Sequence, residues 1–248
     1  MRSPRRLPLP AALGLAFGAL LGCGGEEPAP ADGGPLGGGP AASLVDPGGA
    51  DLGPRARLEI PPGSPTVVFL GDSISAGLHL GSDAAFPALV QRSLAVAGLP
   101  FELINAGVSG DTSAGGVRRL DWLLAREPAV VVVELGGNDG LRGLDPAQVE
   151  ANLRLIVAGV REAGARVLLL GIRLPPSLGA DYVGRFEGLY PRLAEELELA
   201  FVPYFMEGVG GVPEFNLSDG LHPNFEGHRR IARRVARSLG PLLAALED

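Results

Sequence analysis

The sequence predicts an α/β protein, a flavodoxin-like three-layer α/β/α sandwich built on a parallel sheet of five strands. Two observations support this fold class. Short apolar runs rich in β-branched residues, such as 66–70 and 129–135, are typical of strands that are buried on both faces. Segments with apolar residues at helical spacing lie between these runs, and right-handed crossovers then place helices on both faces of the sheet.

Strands and helices alternate along the whole of the predicted domain. The first long helix should end where Gly98 and Pro100 interrupt it, since neither residue continues a helix readily. The third should begin at Asp145 and Pro146, a capping residue followed by a proline in the first turn, and end at Gly164. The predicted strands are 66–70, 101–105, 129–135, 166–172 and 200–204, and the predicted helices are 84–97, 115–126, 145–163, 181–197 and 225–245, with a loop at 206–218.

Residues 1–22 have the features of an export signal. Arginines precede an apolar stretch at 7–21 that is short for a membrane span, and Leu-Leu-Gly-Cys at 20–23 resembles a lipoprotein signal-peptidase site. We therefore expect Cys23, the only cysteine, to become the lipidated N-terminus of an exported protein. The next residue is not the aspartate associated with inner-membrane retention, which favours the periplasmic face of the outer membrane. The alternative is an ordinary secretory signal with an incidental cysteine.

Residues 23–65 form the second predicted region, a flexible tether. They consist largely of glycine, proline, alanine and acidic residues, and so few large side chains cannot bury enough surface to offset the entropy lost on folding. The remaining residues, 66–248, are enough for one domain of ordinary size. We expect this domain to be a monomer that is held at a membrane by the N-terminal lipid.

Composition excludes several classes of function. All 21 basic residues are arginine, and a protein without lysine cannot use a Schiff base, a phosphate-loop lysine or a Ser-Lys pair. Beyond residue 22 the chain has 18 arginines and 28 acidic residues, and this net charge of −10 argues against nucleic acid as a partner. Five arginines lie at 229–237 in the last helix. The apolar residues between them recur at helical spacing, which predicts a solvated helix face, and anionic lipid is the alternative partner.

A serine directly follows the first predicted strand. Gly71, Asp72 and Ser73 turn the chain toward a helix at the carboxyl end of the sheet, where open α/β sheets bind their ligands. Alone, the tripeptide fits an ordinary capped turn as well as it fits a nucleophile. Three further motifs favour the nucleophile, and they lie in the segments 105–113, 134–140 and 219–223.

These four motifs, in this order, resemble those of the SGNH (GDSL-type) hydrolases. The resemblance covers about residues 66–243, and the sequences at 136–143 and 172–175 are similar to the bacterial multifunctional thioesterase/lysophospholipase/arylesterase group. It implies the SGNH hydrolase fold and a serine hydrolase that cleaves esters and thioesters without a metal or cofactor. No Gly-x-Ser-x-Gly motif occurs, which excludes the ordinary α/β-hydrolase architecture.

The resemblance also implies the roles of five residues. Ser73 would be the nucleophile, His222 the general base and then the general acid, and Asp219 the carboxylate that orients His222. The oxyanion hole would consist of the backbone N–H groups of Ser73 and Gly110 and the side-chain amide of Asn138. From the residues alone, Asp219 also fits a helix cap, and Gly110 and Asn138 also fit ordinary turns.

The chain has two other histidines and three acids next to site residues. His79 is expected in a loop or at the rim of the pocket, and His228, which lies beside two arginines on the last helix, is expected at the surface. The three acids also suggest a carboxylate metal site, although acids next to glycines more often brace loops through hydrogen bonds. They are Asp72, Asp111 and Asp139.

The crevice beside Ser73 should accept acyl chains. The segment 171–179 follows the fourth strand and is mostly apolar. Because each buried methylene contributes about 0.8 kcal/mol, we expect a preference for chains of about six to ten carbons. Arg173 fits either a substrate phosphate or a salt bridge to a nearby acid. The predicted lining residues are Leu78, Leu80, Leu141, Arg173, Leu174 and Pro175.

Two other functions are compatible with the sequence. Some SGNH relatives take sugar acetates, so a carbohydrate O-deacetylase is the second enzymatic hypothesis. The third hypothesis is a non-catalytic lipoprotein that uses the fold to bind acyl or glycan ligands. The presence of all five site residues argues against this third hypothesis.

Overall fold

The computed structural model describes residues 58–246 and the backbone of two short strands that precede them. These strands, β1 (Leu44–Val45) and β2 (Asp51–Leu52), pair in antiparallel orientation within the segment predicted as a tether. The predicted signal, Cys23 and most of the tether lie outside the described residues. In the part of the chain that is described, no helix is long and apolar enough to cross a membrane.

Five parallel strands form the central sheet, which confirms the predicted fold class. They are β3 (Thr66–Gly71), β4 (Glu102–Gly107), β5 (Val130–Glu134), β6 (Arg166–Leu170) and β7 (Ala200–Val202). Their order across the sheet is β4-β3-β5-β6-β7, the order of a flavodoxin-like fold. β5 is buried along its whole length, in agreement with its unbroken run of valines.

Helices cover the sheet in the described part of the chain. They are α1 (Ser73–Ala76), α2 (Phe86–Val96), α3 (Ser113–Leu124), α4 (Gly137–Leu141), α5 (Pro146–Glu162), α6 (Ala180–Glu196) and α7 (Phe225–Ala244). Thr112, Asp145 and Asn224 cap α3, α5 and α7, since each side chain accepts a hydrogen bond from a backbone N–H of the first turn. α2 packs against α7, and α3 packs against α5. These pairs form the helical layers of the sandwich.

The longer helices lie within a few residues of their predicted positions, but sequence periodicity does not predict α1 and α4. Each of these helices directly follows a strand, and each is too short to show an apolar repeat. β7 ends at Val202, earlier than predicted, because the N–H of Phe205 and not that of Tyr204 donates to the carbonyl of Gly171, which interrupts the regular parallel ladder. A 3₁₀ turn, Pro213–Phe215, lies within the predicted loop at 206–218.

The prediction that His228 lies at the surface is wrong, since only 1% of the residue is exposed. Its Nδ1 atom accepts a hydrogen bond of 3.1 Å from the backbone N–H of Phe86, at the start of α2. Ala85, which precedes that helix, has no side chain that can accept this bond, so His228 supplies the acceptor from α7. Burial lowers the pKa of His228 to about 4, and the ring is therefore neutral at pH 7.

The prediction of a solvated arginine face on α7 is only partly correct. The apolar stripe of this helix is buried, and Arg230 and Arg237 are exposed. Arg229, however, is only 5% exposed and lies 2.7 Å from a carboxylate oxygen of Glu226. The solvated face therefore does not include Arg229.

Candidate active site

The turn after β3 places Ser73 at the carboxyl end of the sheet. Asp72 caps α1, because its Oδ1 atom accepts a hydrogen bond of 3.0 Å from the backbone N–H of Ile74. Ser73 is the first residue of α1, and this helix ends after one turn at Gly77, whose φ of 70° is left-handed. Ser73 therefore lies in a short turn that is closed at both ends, and 9% of the residue is exposed.

The structure brings Ser73, His222 and Asp219 together in one hydrogen-bonded chain. Oγ of Ser73 lies 2.9 Å from Nε2 of His222, and Nδ1 of His222 lies 2.7 Å from Oδ2 of Asp219. Asp219 and His222 lie in the loop before α7, where Gly220 adopts a left-handed φ of 69°. The two distances allow a proton to pass from the serine hydroxyl to the imidazole.

Hydrogen bonds hold Asp219 in place and keep it ionised. Its Oδ1 atom accepts bonds from the backbone N–H groups of Leu221 at 2.9 Å and His222 at 3.0 Å. The backbone bond from His222 contributes most, followed by the bond from its ring, and together they lower the pKa of Asp219 to about 2. Because a carboxylate only accepts, the proton of the neutral His222 ring lies on Nδ1. Nε2 is then left to accept the proton of Ser73.

The three candidate oxyanion donors come from three different connections. The backbone N–H groups of Ser73 and Gly110 have no hydrogen-bond acceptor among the described residues. Gly110 has a φ of 79°, and its carbonyl accepts a hydrogen bond of 2.9 Å from the guanidinium of Arg142. Asn138, in α4, lines the same cavity as Ser73, whereas Gly110 does not line it. The structure therefore brings Ser73 and Asn138 to one cavity and leaves Gly110 outside its lining.

Two carboxyl groups are buried next to Ser73, those of Asp72 and Glu134. Oδ2 of Asp72 accepts a hydrogen bond of 3.0 Å from the side-chain amide of Asn138, so Asp72 fixes the orientation of that amide. Burial raises the pKa of Asp72 to about 6. Burial, followed by the charge of Asp72, raises the pKa of Glu134 well above its usual value. Sequence reasoning missed Glu134, and the signal for it is an acid that ends an otherwise apolar strand.

Asp111 and Asp139 brace the loops around the site. Oδ2 of Asp111 lies 2.8 Å from Nε of Arg119, whose guanidinium also donates to the carbonyl of Gly71 at 2.9 Å. Asp139 accepts hydrogen bonds from the backbone N–H and the hydroxyl of Ser113, at 2.9 and 2.6 Å. These contacts give both acids a structural role in the loops. Among the residues that the structure describes, no group of three or more histidine, cysteine or acidic side chains is arranged for a metal ion.

A cavity of about 570 Å³ lies beside Ser73 and His222. Four of the predicted lining residues do line it, namely Leu141, Arg173, Leu174 and Pro175. Leu78 and Leu80 are not among its lining residues, in contrast to the prediction. Sequence reasoning missed several apolar lining residues because they lie in loops, where no periodic pattern marks them. They are Phe205, Met206 and Leu221, whereas Ile172, which also lines the cavity, belongs to the predicted wall segment 171–179.

Arg173 forms no ion pair with the described residues, so the salt bridge considered for it is not observed. Its guanidinium instead lies over the ring of Tyr204, 4.9 Å from the ring centroid, and both residues line the cavity. Arg173 thus places a positive charge at the cavity wall.

His79 is exposed in the loop after α1, and its ring centroid lies 6.4 Å from that of His222.

A parallel sheet with a Ser-His-Asp chain at its carboxyl end defines a serine hydrolase. Comparison with protein families agrees, since residues 69–230 match the model of the GDSL-like Lipase/Acylhydrolase family. The chain belongs to this family. The match confirms the resemblance to the SGNH (GDSL-type) hydrolases that the motifs predict.

Individual relatives indicate which kind of hydrolase the chain is most similar to. Esterase TesA of Pseudomonas aeruginosa is 49% identical over 179 residues, which are 72% of this chain and 89% of the relative. Thioesterase 1/protease 1/lysophospholipase L1 of Escherichia coli strain K12 is 44% identical over 179 residues, 72% of this chain and 85% of the relative. The crystal structure of the psychrotrophic esterase EstA from Pseudoalteromonas sp., inhibited by monoethylphosphonate, has 33% identity and a TM-score of 0.68 over 74% of this chain and 99% of that one. The protein is an enzyme that hydrolyses ester bonds.

Proposed function

We propose that this enzyme hydrolyses carboxylic esters and thioesters of medium-length acyl chains through an acyl-enzyme at Ser73. The observation that carries the proposal is the unbroken chain from Ser73 through His222 to Asp219 beside a largely apolar cavity. The names of the relatives, an esterase and a thioesterase/lysophospholipase, support these substrate classes.

The first half of the reaction transfers the acyl group to the enzyme. Oγ of Ser73 attacks the carbonyl carbon of the substrate while Nε2 of His222 takes the hydroxyl proton. The N–H group of Ser73 and the amide of Asn138, which line the cavity, donate to the negative charge that forms on the carbonyl oxygen, and the N–H group of Gly110 is the third donor that the family resemblance implies. His222 then gives its proton to the leaving alcohol or thiol. Asp219 stays ionised and stabilises the imidazolium.

The second half of the reaction releases the acid. His222 takes a proton from a water molecule, whose oxygen attacks the acyl carbon. The bond between this carbon and Oγ of Ser73 breaks, and Oγ recovers the proton from His222. The product is a free carboxylic acid, and the enzyme returns to its starting protonation state.

The lining of the cavity favours acyl chains over sugars. Apart from the site residues, its only polar side chains among the described residues are those of Arg173 and Tyr204, and these two contact each other. A carbohydrate would need more hydrogen-bonding side chains, whereas each methylene buried against an apolar wall contributes about 0.8 kcal/mol. The guanidinium of Arg173, which pairs with no acid among the described residues, also suits a substrate phosphate, as in a lysophospholipid or coenzyme A ester.

Hydrolysis of p-nitrophenyl esters of increasing acyl length tests the proposal. We expect kcat/KM to rise from acetate to chains of about six to ten carbons, and the matching thioesters to be cleaved. Ser73→Ala is the control and should be inactive. A best rate with acetate that falls steadily with length would replace the proposal with the carbohydrate O-deacetylase. Binding of acyl ligands without any hydrolysis would favour the non-catalytic lipoprotein.

We propose further that the enzyme acts in the cell envelope, held at the periplasmic face of the outer membrane by a lipid on Cys23. The support is the sequence of residues 1–24 alone. Mass spectrometry of the mature protein should find a lipid-modified Cys23 at the N-terminus, and Cys23→Ser should abolish membrane partitioning. An unmodified mature protein with a different N-terminus would refute the anchor and leave the hydrolase proposal unaffected.

A further inference from the structure

The carboxyl group of Glu134 holds the turn that carries Ser73 from two sides. Glu134 is the last residue of β5 and is paired in the sheet register with Gly71, the last residue of β3. Its Oε2 atom accepts a hydrogen bond of 3.2 Å from the backbone N–H of Asp72 and one of 2.7 Å from the hydroxyl of Ser75. One donor lies immediately before Ser73 and the other lies two residues after it. A single oxygen atom of Glu134 therefore binds residues on both sides of Ser73.

This contact depends on the glycine of the Gly-Asp-Ser motif. A Cβ atom at Gly71 would lie 2.1 Å from Oγ of Ser75 and 2.6 Å from Oε2 of Glu134, closer than such atoms can approach. Gly71 thus leaves the space in which the carboxyl group reaches the turn. Glycine at this position permits the contact as well as the turn itself.

Burial favours the neutral form of Glu134. The residue is 1% exposed, and no arginine or histidine pairs with it among the described residues. Burial and the charge of Asp72 raise the pKa of Glu134 well above its usual value. Asp72, whose carboxylate accepts hydrogen bonds from the N–H of Ile74 and the amide of Asn138, is the neighbouring charge that disfavours ionisation of Glu134.

We propose that Glu134 is a positioning residue of the reaction, which fixes the backbone before Ser73 and the helical turn after it and so aims the serine hydroxyl at His222. The inference rests on the proposed role of Ser73 as the nucleophile. What matters is an acceptor oxygen at the right distance, since a displacement of about 1 Å at a reacting group can cost about a hundredfold in rate. A neutral side chain of the same length should therefore serve, and a shorter acid should not.

Two substitutions of Glu134 distinguish the length of its side chain from its acidity. Glu134→Gln keeps the length and the acceptor oxygen but removes the ionisable proton. Glu134→Asp keeps the acid but shortens the side chain by one methylene, about 1.5 Å, so that it cannot reach both donors. Ser75→Ala removes one of the two bonds and leaves Glu134 intact. Glu150→Ala is the matched control, a largely buried glutamate outside the cavity whose partners are Arg154 and Arg192.

The measurement is the rate at which a fluorophosphonate labels Ser73, together with kcat and KM for a p-nitrophenyl ester and the Tm of each variant. We expect Glu134→Asp to lose at least about tenfold in labelling rate and in kcat, with KM within about threefold of the wild type. Glu134→Gln should stay within about threefold on every rate, and Ser75→Ala should fall between the two. Glu150→Ala should lower the Tm and leave both rates unchanged.

An active Glu134→Asp together with an inactive Glu134→Gln would overturn the inference, because acidity and not length would then be required. If Glu134→Asp does not fold, Ser75→Ala decides: a selective loss of kcat and labelling rate supports the inference, and wild-type rates overturn it. Wild-type enzyme that is labelled at a residue other than Ser73 would refute the proposed nucleophile, and this inference with it. Labelling of Ser73 at equal rates in the wild type and every variant would refute the role of Glu134 alone.

Discussion

Asp219→Asn should inactivate the enzyme by reversing the tautomer of His222. Oδ1 of Asp219 accepts hydrogen bonds from the backbone N–H groups of Leu221 and His222, at 2.9 and 3.0 Å. An asparagine must keep its amide oxygen at this place, because its NH₂ group cannot accept these bonds. The NH₂ group then faces Nδ1 of His222, which lies 2.7 Å from Oδ2 in the wild type. Nδ1 becomes an acceptor, the ring proton moves to Nε2, and Nε2 cannot take the proton of Ser73.

Loss of the general base in this way should lower kcat by about 10⁴-fold, or about 5.5 kcal/mol of transition-state stabilisation. KM should change little, since Asp219 does not line the cavity. Asp219→Ala is the informative comparison, because it leaves both tautomers of His222 accessible and should retain more activity than Asp219→Asn. Steady-state hydrolysis of a p-nitrophenyl ester, with the Tm of each variant, provides the assay. An Asp219→Asn enzyme within about tenfold of wild type, or more active than Asp219→Ala, would refute the reasoning.

Further predictions concern the other site residues and the pH dependence of stability. Ser73→Ala and His222→Ala should each lower kcat by at least about three orders of magnitude, and the double variant should be little worse in the same assay, because the two residues act as a unit. Asn138→Ala should lower kcat by about 10²–10³-fold if its amide binds the oxyanion, with an unchanged circular dichroism spectrum. The pKa of His228 falls from 6.5 to about 4 on folding, because burial disfavours the charged ring. The contribution of His228 to stability is therefore complete above pH 6.5 and is lost as the pH falls through about 4. Urea unfolding should show a loss of up to about 3 kcal/mol in the free energy of unfolding, and this loss should be absent in His228→Gln. Folding raises the pKa of Glu134 above 4.5, so the wild type loses stability as the pH rises above that value. Glu134→Gln should lack this loss and so gain stability relative to the wild type as the pH rises, in the same unfolding experiment.

The alternation of strands and helices is predictable because local patterns mark it. The unbroken run of valines in β5 is typical of a strand that is buried on both faces. Gly98, which has a left-handed φ of 83°, and Pro100 follow the end of α2. α1 and α4 are not predictable from periodicity, because a helix of about one turn has no repeat. Both follow strands that end at the site, and they position Ser73 and Asn138.

The grouping of the candidate site residues is also predictable, because their motifs follow parallel strands whose carboxyl ends meet at one edge of the sheet. Glu134 and His228 are not predictable in this way, because no local pattern marks their contacts. Each is a polar residue inside an apolar pattern, and its importance depends on a contact that is distant in sequence. Glu134 binds Ser75, 59 residues away, and His228 binds Phe86, 142 residues away. Only the fold reveals that these two side chains are paired and not simply solvated.

The mass of the peptide that contains Ser73, after an acid quench during turnover, tests the central claim most directly. With p-nitrophenyl octanoate as substrate, we expect an octanoyl group on Ser73 of the wild type and no acylated serine in Ser73→Ala. Fragmentation of the peptide distinguishes Ser73 from its neighbour Ser75. An octanoyl group on Ser75 or on Ser109, or full hydrolytic activity in Ser73→Ala, would contradict the proposed nucleophile.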